Sequence, residues 1–284
     1  MNETQTRVLT EELSPGLWRG TLNSVQDRNA LSGEMREAIR QALRDAKAAG
    51  GKVMIFRGSP EVFSSGYRLD PGALRTPTTT KDRDRLIETT KFWREYREQP
   101  VVTIAEVRGH CIAGGTDMML ASDISLAATD ASISVPNVRD LGITMLLPMW
   151  STLVGPHRAK LLAMSGDAVT GEEAAKWGLI AAALPEQILA ERVAALAQRI
   201  ALVPEELLEI TKQALNAAWD AAGFGAAIVR AAELDALAHT TSPVNAFWQQ
   251  VEADQGSLRN VLSARADRFG QDRVLDLLKD ATIA

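Results

Sequence analysis

What most limits the possible folds is a change of texture near Leu141. Before it, short apolar runs alternate with helical stripes. Residues 17–23 read as a short strand, Val53-Met54-Ile55-Phe56 as a buried one, and residues 101–107, 124–128 and 133–135 as three more. Between them, Ser32 is placed to cap a helix whose stripe is Met35, Ile39, Leu43 and Ala46, and Gly50-Gly51 ends it. Residues 86–98 also read as helix. After Leu141 nearly everything does: 149–154, 158–165, 171–177, 189–202, 205–219, 224–239, 242–253 and 258–268. Strands first and helices last imply an α/β core followed by a helical C-terminal region. The division expected is a core over residues 1–203 and a helical region over 204–284. Residues 70–84, rich in Pro, Thr and charge, read as a mobile loop or a solvated connector. No fixed-period repeat of the solenoid kind is present.

The chain has 284 residues, 46% of them hydrophobic, enough to bury a substantial core. Its net charge of -5 argues against general nucleic-acid binding, although a local basic patch for phosphates is compatible with it. With Cys111 as its one cysteine, it forms no internal disulfide and no cysteine-based metal cluster. His110, His157 and His239 lack ligand spacing, so no metal is expected. The polar N-terminus is not a secretory signal, and no stretch reaches the ~18 apolar residues of a membrane span. A cytoplasmic protein is expected.

Two loops carry the chemistry. Phe63-Ser64-Ser65-Gly66-Tyr67-Arg68-Leu69-Asp70 leaves a buried strand and turns at Gly66, where glycine accepts a positive φ and aims the next N–H, that of Tyr67. Val107-Arg108-Gly109-His110-Cys111-Ile112-Ala113-Gly114-Gly115-Thr116-Asp117 runs from a strand through a glycine-rich turn into a helix. The first N–H groups of a helix have no internal partner, and the helix dipole adds partial positive charge there. Both favour a developing anion near Gly114 and Gly115. The Lys-Ser/Thr of a P-loop and the G-x-G-x-x-G fingerprint are both missing, so this is not a nucleotide loop of either kind.

These segments occur in a telling order: Asn29-Ala30-Leu31-Ser32, Phe63-Ser64-Ser65-Gly66, Gly109 to Gly115, and Ala121-Ser122-Asp123. Further on stand Arg158-Ala159-Lys160, Leu162, Ser165-Gly166, Glu173-Ala174 and Trp177-Gly178-Leu179-Ile180. The pattern resembles the enoyl-CoA hydratase/isomerase (crotonase) superfamily over roughly residues 8–270. The resemblance implies an α/β fold, the crotonase (ClpP-like) spiral of β-β-α units with a helical C-terminal region. It implies an acyl-CoA substrate, no cofactor beyond the CoA of that substrate, a role in fatty acid metabolism, and a homotrimer or homohexamer.

Residue by residue, the resemblance makes the N–H groups of Tyr67 and Gly114 the donors to an enolate oxygen. It places Arg28, Ala30, Ser64, Ser65 and Leu69 along the CoA path, with Arg28 either meeting a phosphate or remaining a solvated surface arginine. Asp117 matches the first catalytic glutamate of hydratases; it is a general acid or base, or else a carboxylate satisfying backbone N–H groups. Asn137 stands where the second glutamate belongs, and an amide cannot serve as a base. Asp140 substitutes for it, or forms a local ion pair with Arg139. The apolar stretch from Gly142 to Trp150 replaces the usual glycine turn, lining an acyl pocket or simply filling core. His110 reads as a structural side chain and Cys111 as buried and inert. The leading activity is hydration or isomerisation of a 2-enoyl-CoA. The alternatives are another enolate reaction (thioester hydrolysis, decarboxylation or C–C cleavage) or non-catalytic acyl-CoA binding.

Overall fold

The chain builds two sheets at once. In the computed structural model, which describes residues 6–69, 78–254, 257–270 and 273–278, an antiparallel pair comes first: β1 (Val8–Ser14) and β2 (Leu17–Leu22). Helix α1 (Gly33–Ala48) follows. The next strands come in twos: β3 (Val53–Arg57) with β4 (Val62–Ser64), β5 (Val102–Val107) with β6 (His110–Ile112), and β7 (Ile124–Ala128) with β8 (Ser132–Ser134). Helices α2 (Thr79–Glu98) and α3 (Gly114–Ala121) follow the first two pairs. Helices α4 (Leu147–Val154) and α5 (Pro156–Ser165), strand β9 (Ala168–Thr170), helix α6 (Gly171–Trp177) and strand β10 (Ala182–Leu184) complete the sheets.

The first member of each pair joins a six-stranded sheet ordered β1-β2-β3-β5-β7-β10, and the second joins a four-stranded sheet ordered β4-β6-β8-β9. β3, β5 and β7 are parallel neighbours, as are β4, β6 and β8. Each strand–strand–helix turn therefore advances both sheets by one strand, which is the β-β-α spiral expected. Central parallel strands are covered on both faces and so read as unbroken apolar runs; Val53, Met54, Ile55 and Phe56 are all at most 1% exposed.

The helical remainder comprises α7 (Glu186–Ala201), α8 (Glu205–Ala221), α9 (Phe224–Ala238), α10 (Ser242–Ala253), α11 (Leu258–Phe269) and α12 (Val274–Leu277). The division expected after residue 203 falls between α7 and α8. Both α8 and α9 pack on the core: Lys212 Nζ donates to Asp123 Oδ2 at 2.7 Å and to the Val101 carbonyl at 3.0 Å, and Phe224 is 1% exposed beneath the Arg97 guanidinium. No helix among the described residues is long and apolar enough to cross a membrane.

Three expectations need correction. β1 was not foreseen; only Val8 of its seven residues is buried, so an exposed edge strand left little apolar signal. β9 and β10 fall in the gaps between expected helices, after residue 165 and after residue 177, where no strand was read. Finally, α2 begins at Thr79, so residues 79–84 are helical rather than loop; the Thr78 hydroxyl caps it by accepting from Lys81 N. The rest of that expected loop, residues 70–77, lies outside the described residues.

Candidate active site

The two loops meet. Gly66 has φ +96°, and a Cβ placed there would stand 2.8 Å from the Ile112 carbonyl oxygen, 2.8 Å from Ala113 Cβ and 3.0 Å from Gly114 N. A Cβ on Gly114 would touch three atoms of the Tyr67 ring at 3.0 Å. Residues 66–67 and 113–114 thus abut so closely that neither glycine has room for a side chain. Ala113 takes φ 51° to turn the chain into α3, a backbone state costing roughly 1–3 kcal/mol. It is held by its N–H on the Ser134 carbonyl and by Thr116 and Asp117 on its own carbonyl. Beside this contact the main-chain N–H groups of Tyr67 and Gly114 find no acceptor among the described residues.

The segment before α1 is laced to the first loop. Leu31 N donates to the Gly66 carbonyl at 2.7 Å and Ser65 N to the Arg28 carbonyl at 3.0 Å. Buried Asn29 donates to the Val62 and Phe63 carbonyls. Ser32 caps α1 as expected, accepting from Met35 N at 3.1 Å. Of the residues expected along a CoA path, Arg28 is exposed, Ala30 and Ser65 are half-buried, and Leu69 lines the cleft described below. Ser64 is fully buried, with its hydroxyl donating to the Asn29 carbonyl and accepting from Gly66 N, so it braces the loop from inside.

Asp117 is fully buried and well satisfied. Its Oδ2 accepts from the Tyr67 hydroxyl at 2.5 Å and from Met145 N at 3.1 Å, and its Oδ1 from Leu146 N at 3.0 Å. Trp93 Nε1 donates to the same Tyr67 hydroxyl at 2.7 Å. Burial pushes the Asp117 carboxyl up to about 7, although hydrogen bonds from Tyr67, Leu146 and Met145 pull the other way. Burial and the Asp117 charge together raise the Tyr67 phenol well above its ordinary value. The phenol therefore keeps its proton and donates it.

A cleft of about 260 Å3 opens in front of Tyr67. Leu31, Leu69, Leu86, Leu141 and Trp248 give it apolar walls, and Asn137 lies on it. The Asn137 Oδ1 is buried with no hydrogen-bond partner among the described residues. Asp140 is directed elsewhere, pairing with Arg265 at 2.7 Å and standing 3.9 Å from Arg268. The local pair with Arg139 does not form; Arg139 instead pairs with Asp167 and lies over the Phe269 ring at 4.0 Å. In the stretch that was to line an acyl pocket or fill core, Met145, Leu146 and Trp150 are core, each at most 1% exposed. His110 is an exposed residue of β6, and Cys111 is buried, its thiol pushed far up by desolvation.

Sequence reasoning missed a charged cluster on the same cleft. His239 Nδ1 lies 2.6 Å from Asp82 Oδ2, and its Nε2 lies 3.6 Å from Asp235 Oδ1. Arg85 donates to Asp82 Oδ1 at 2.6 Å, and Ile143 N to Asp235 Oδ1 at 2.7 Å. Burial lifts Asp235 to about 6. Burial alone would lower His239, but the Asp82 hydrogen bond and the charges of Asp235 and Asp82 leave it raised. Asp235 and His239 are four apart, a spacing that puts them on one helical face; that was the available signal.

Known proteins resemble this chain in sequence and in fold. A family model described as enoyl-CoA hydratase/isomerase matches residues 14–248. A crystal structure assigned to the same group, from Novosphingobium aromaticivorans DSM 12444, superposes with a TM-score of 0.87 at 29% identity, covering 98% of this chain and 100% of that one. An enoyl-CoA hydratase/isomerase from Xanthobacter autotrophicus Py2 is 32% identical with a TM-score of 0.82, covering 93% of this chain and 99% of that one. The rat mitochondrial enoyl-CoA hydratase domain-containing protein 3 is 28% identical over 217 residues, 74% of this chain and 70% of the relative.

Proposed function

The chain belongs to the enoyl-CoA hydratase/isomerase family, and from that premise we propose that it hydrates or isomerises a 2-enoyl-CoA through an enolate held by the N–H groups of Tyr67 and Gly114. The observation that carries the proposal is the contact of residues 66–67 with 113–114, beside which both N–H groups lack an acceptor among the described residues. Chemistry at Cα or Cβ of a thioester collects negative charge on the carbonyl oxygen. Donors already in place favour that state over the neutral carbonyl, and each contributes roughly 3–4 kcal/mol to lowering the barrier.

The other parts follow from their positions. Arg28, Ala30, Ser65 and Leu69 flank the path of the CoA, and the apolar cleft takes the acyl chain. CoA arrives with the substrate, and the proposed chemistry needs no other cofactor. Asp117 stands on the helix that Gly114 opens, but its carboxylate is engaged by Tyr67, Met145 and Leu146. Any proton it exchanges with the cleft passes through the Tyr67 hydroxyl. The exposed Leu207, Ile210 and Leu215 of α8 and Leu234 and Leu237 of α9 favour a homotrimeric or homohexameric assembly.

The test is a panel of 2-enoyl-CoA and 3-oxoacyl-CoA thioesters, with enoyl and thioester absorbance followed separately. The enoyl band is expected to fall while the thioester survives. Binding of no thioester at all would end this reading. Loss of the thioester instead would mark a hydrolase, for which the pairing of Asp140 with Arg265 leaves no free carboxylate at that position.

A further inference from the structure

We propose that His239, oriented by Asp82 and flanked by Asp235, is the proton-transfer group of the acyl cleft, taking the part that two glutamates would play at positions 117 and 137. The proposal rests on the acyl-CoA reading above. Four observations carry it. His239, Asp235, Tyr67 and Asn137 line one cleft, whereas Asp117 does not. Asp82 is 2% exposed and bonds His239 Nδ1 at 2.6 Å, which places the proton on that nitrogen and leaves Nε2, 3.6 Å from Asp235 Oδ1, as the basic atom. Arg85 on the other oxygen of Asp82 keeps that carboxylate charged and in place. Asp235, 4% exposed, takes the Ile143 N–H on Oδ1, and the same oxygen stands 3.6 Å from His239 Nε2, so a second carboxylate faces the imidazole.

Bracing α2 to α9 does not require this arrangement, since Arg83 and Glu233 already join the two helices at 3.2 Å on the surface. Gly142 shows how closely the cluster is fitted, because a Cβ there would fall 2.2 Å from Asp235 Oδ1 and 3.4 Å from His239 Nε2. In hydration, the oxygen of water bonds to Cβ and its proton passes to Nε2. The C=C electron pair moves to the thioester oxygen as the enolate. Asp82 and Asp235 offset the imidazolium charge. As the carbonyl re-forms, the same proton passes from Nε2 to Cα, so the imidazole ends neutral and one water has been added. The charged and titratable groups around Nε2 are Asp82 and Arg85 from α2, Asp235 from α9, Arg36 from α1 and Tyr67 from the first loop.

The experiment compares wild type with His239→Gln, Asp82→Asn and Glu233→Gln, measuring turnover of the best 2-enoyl-CoA against pH, binding of a saturated acyl-CoA, and thermal melting. His239→Gln should bind the thioester normally and lose turnover about 100-fold or more. Asp82→Asn should keep binding and shift the acidic limb of the pH–kcat profile downward, because the imidazolium loses its anionic partner. Glu233→Gln, which weakens the surface pairs with Arg83 and Arg230, should turn over within about twofold of wild type. Wild-type turnover in His239→Gln would overturn the proposal while leaving the acyl-CoA reading intact. Failure of wild type itself to bind any acyl-CoA would overturn both. Should His239→Gln not fold, an unshifted profile in a folded Asp82→Asn would overturn the proposal.

Discussion

The Tyr67 hydroxyl donates to Asp117 Oδ2 across 2.5 Å, joining a residue that lines the cleft to one sealed behind it. The same tyrosine thus has two separable parts: a main-chain N–H proposed to hold the substrate oxygen, and a phenol that ties Trp93 and Asp117 together.

Tyr67→Phe separates those parts. The N–H stays, while Asp117 and Trp93 each lose a buried partner. Stability should fall by about 1–3 kcal/mol in chemical denaturation, and kcat should fall by less than about tenfold, since the donors to the carbonyl remain. Loss of all activity in a folded variant would transfer the phenol into the chemistry.

Gly66→Ala attacks the loop contact itself. The residue has φ +96°, and its Cβ would press on the Ile112 carbonyl oxygen and Gly114 N. Displacing the two N–H groups from each other should cost about 100-fold or more in kcat/KM, with circular dichroism near wild type. Activity within a few-fold of wild type would show that the loops need not meet.

Asp140→Asn should leave turnover within about twofold, because the side chain serves Arg265 on α11. The expected cost is roughly 1–3 kcal/mol of stability, because the pair is largely buried. A large fall in kcat with unchanged melting would restore Asp140 as a catalytic group.

Stability should depend on pH through Asp117 and Asp235. Both folded-state values lie above the ordinary aspartate value, at about 7 and about 6. A raised carboxyl contributes stability that is complete below the unfolded value and is lost as pH rises through the folded one. Wild type should therefore lose stability between about pH 4 and about pH 7, and Asp235→Asn should lose on the order of 1–2 kcal/mol less between about pH 5 and about pH 8. Urea denaturation at these pH values checks the sign; parallel curves would contradict it.

Sequence reading recovered what is local. The apolar run of β3, the Ser32 cap and the two glycine turns are each written in a few adjacent residues. The edge strand β1 escaped because Thr10, Glu11 and Glu12 face solvent and leave no alternation. The three-residue strands β9 and β10 are too short to outweigh the helical stripes around them. The Asp82–His239 pair joins positions 157 apart, so no spacing rule reaches it. Asp117 was legible as a position but not as an environment, since its partners Met145 and Leu146 arrive from a segment read only as apolar.

The direct measurement is the infrared carbonyl stretch of a 2-enoyl-CoA isotope-labelled at the thioester carbon, free and bound. Two main-chain donors converging on that oxygen predict a clear shift to lower frequency on binding wild type, retained in Tyr67→Phe and lost in Gly66→Ala. A bound carbonyl with the same frequency as in water would contradict the account.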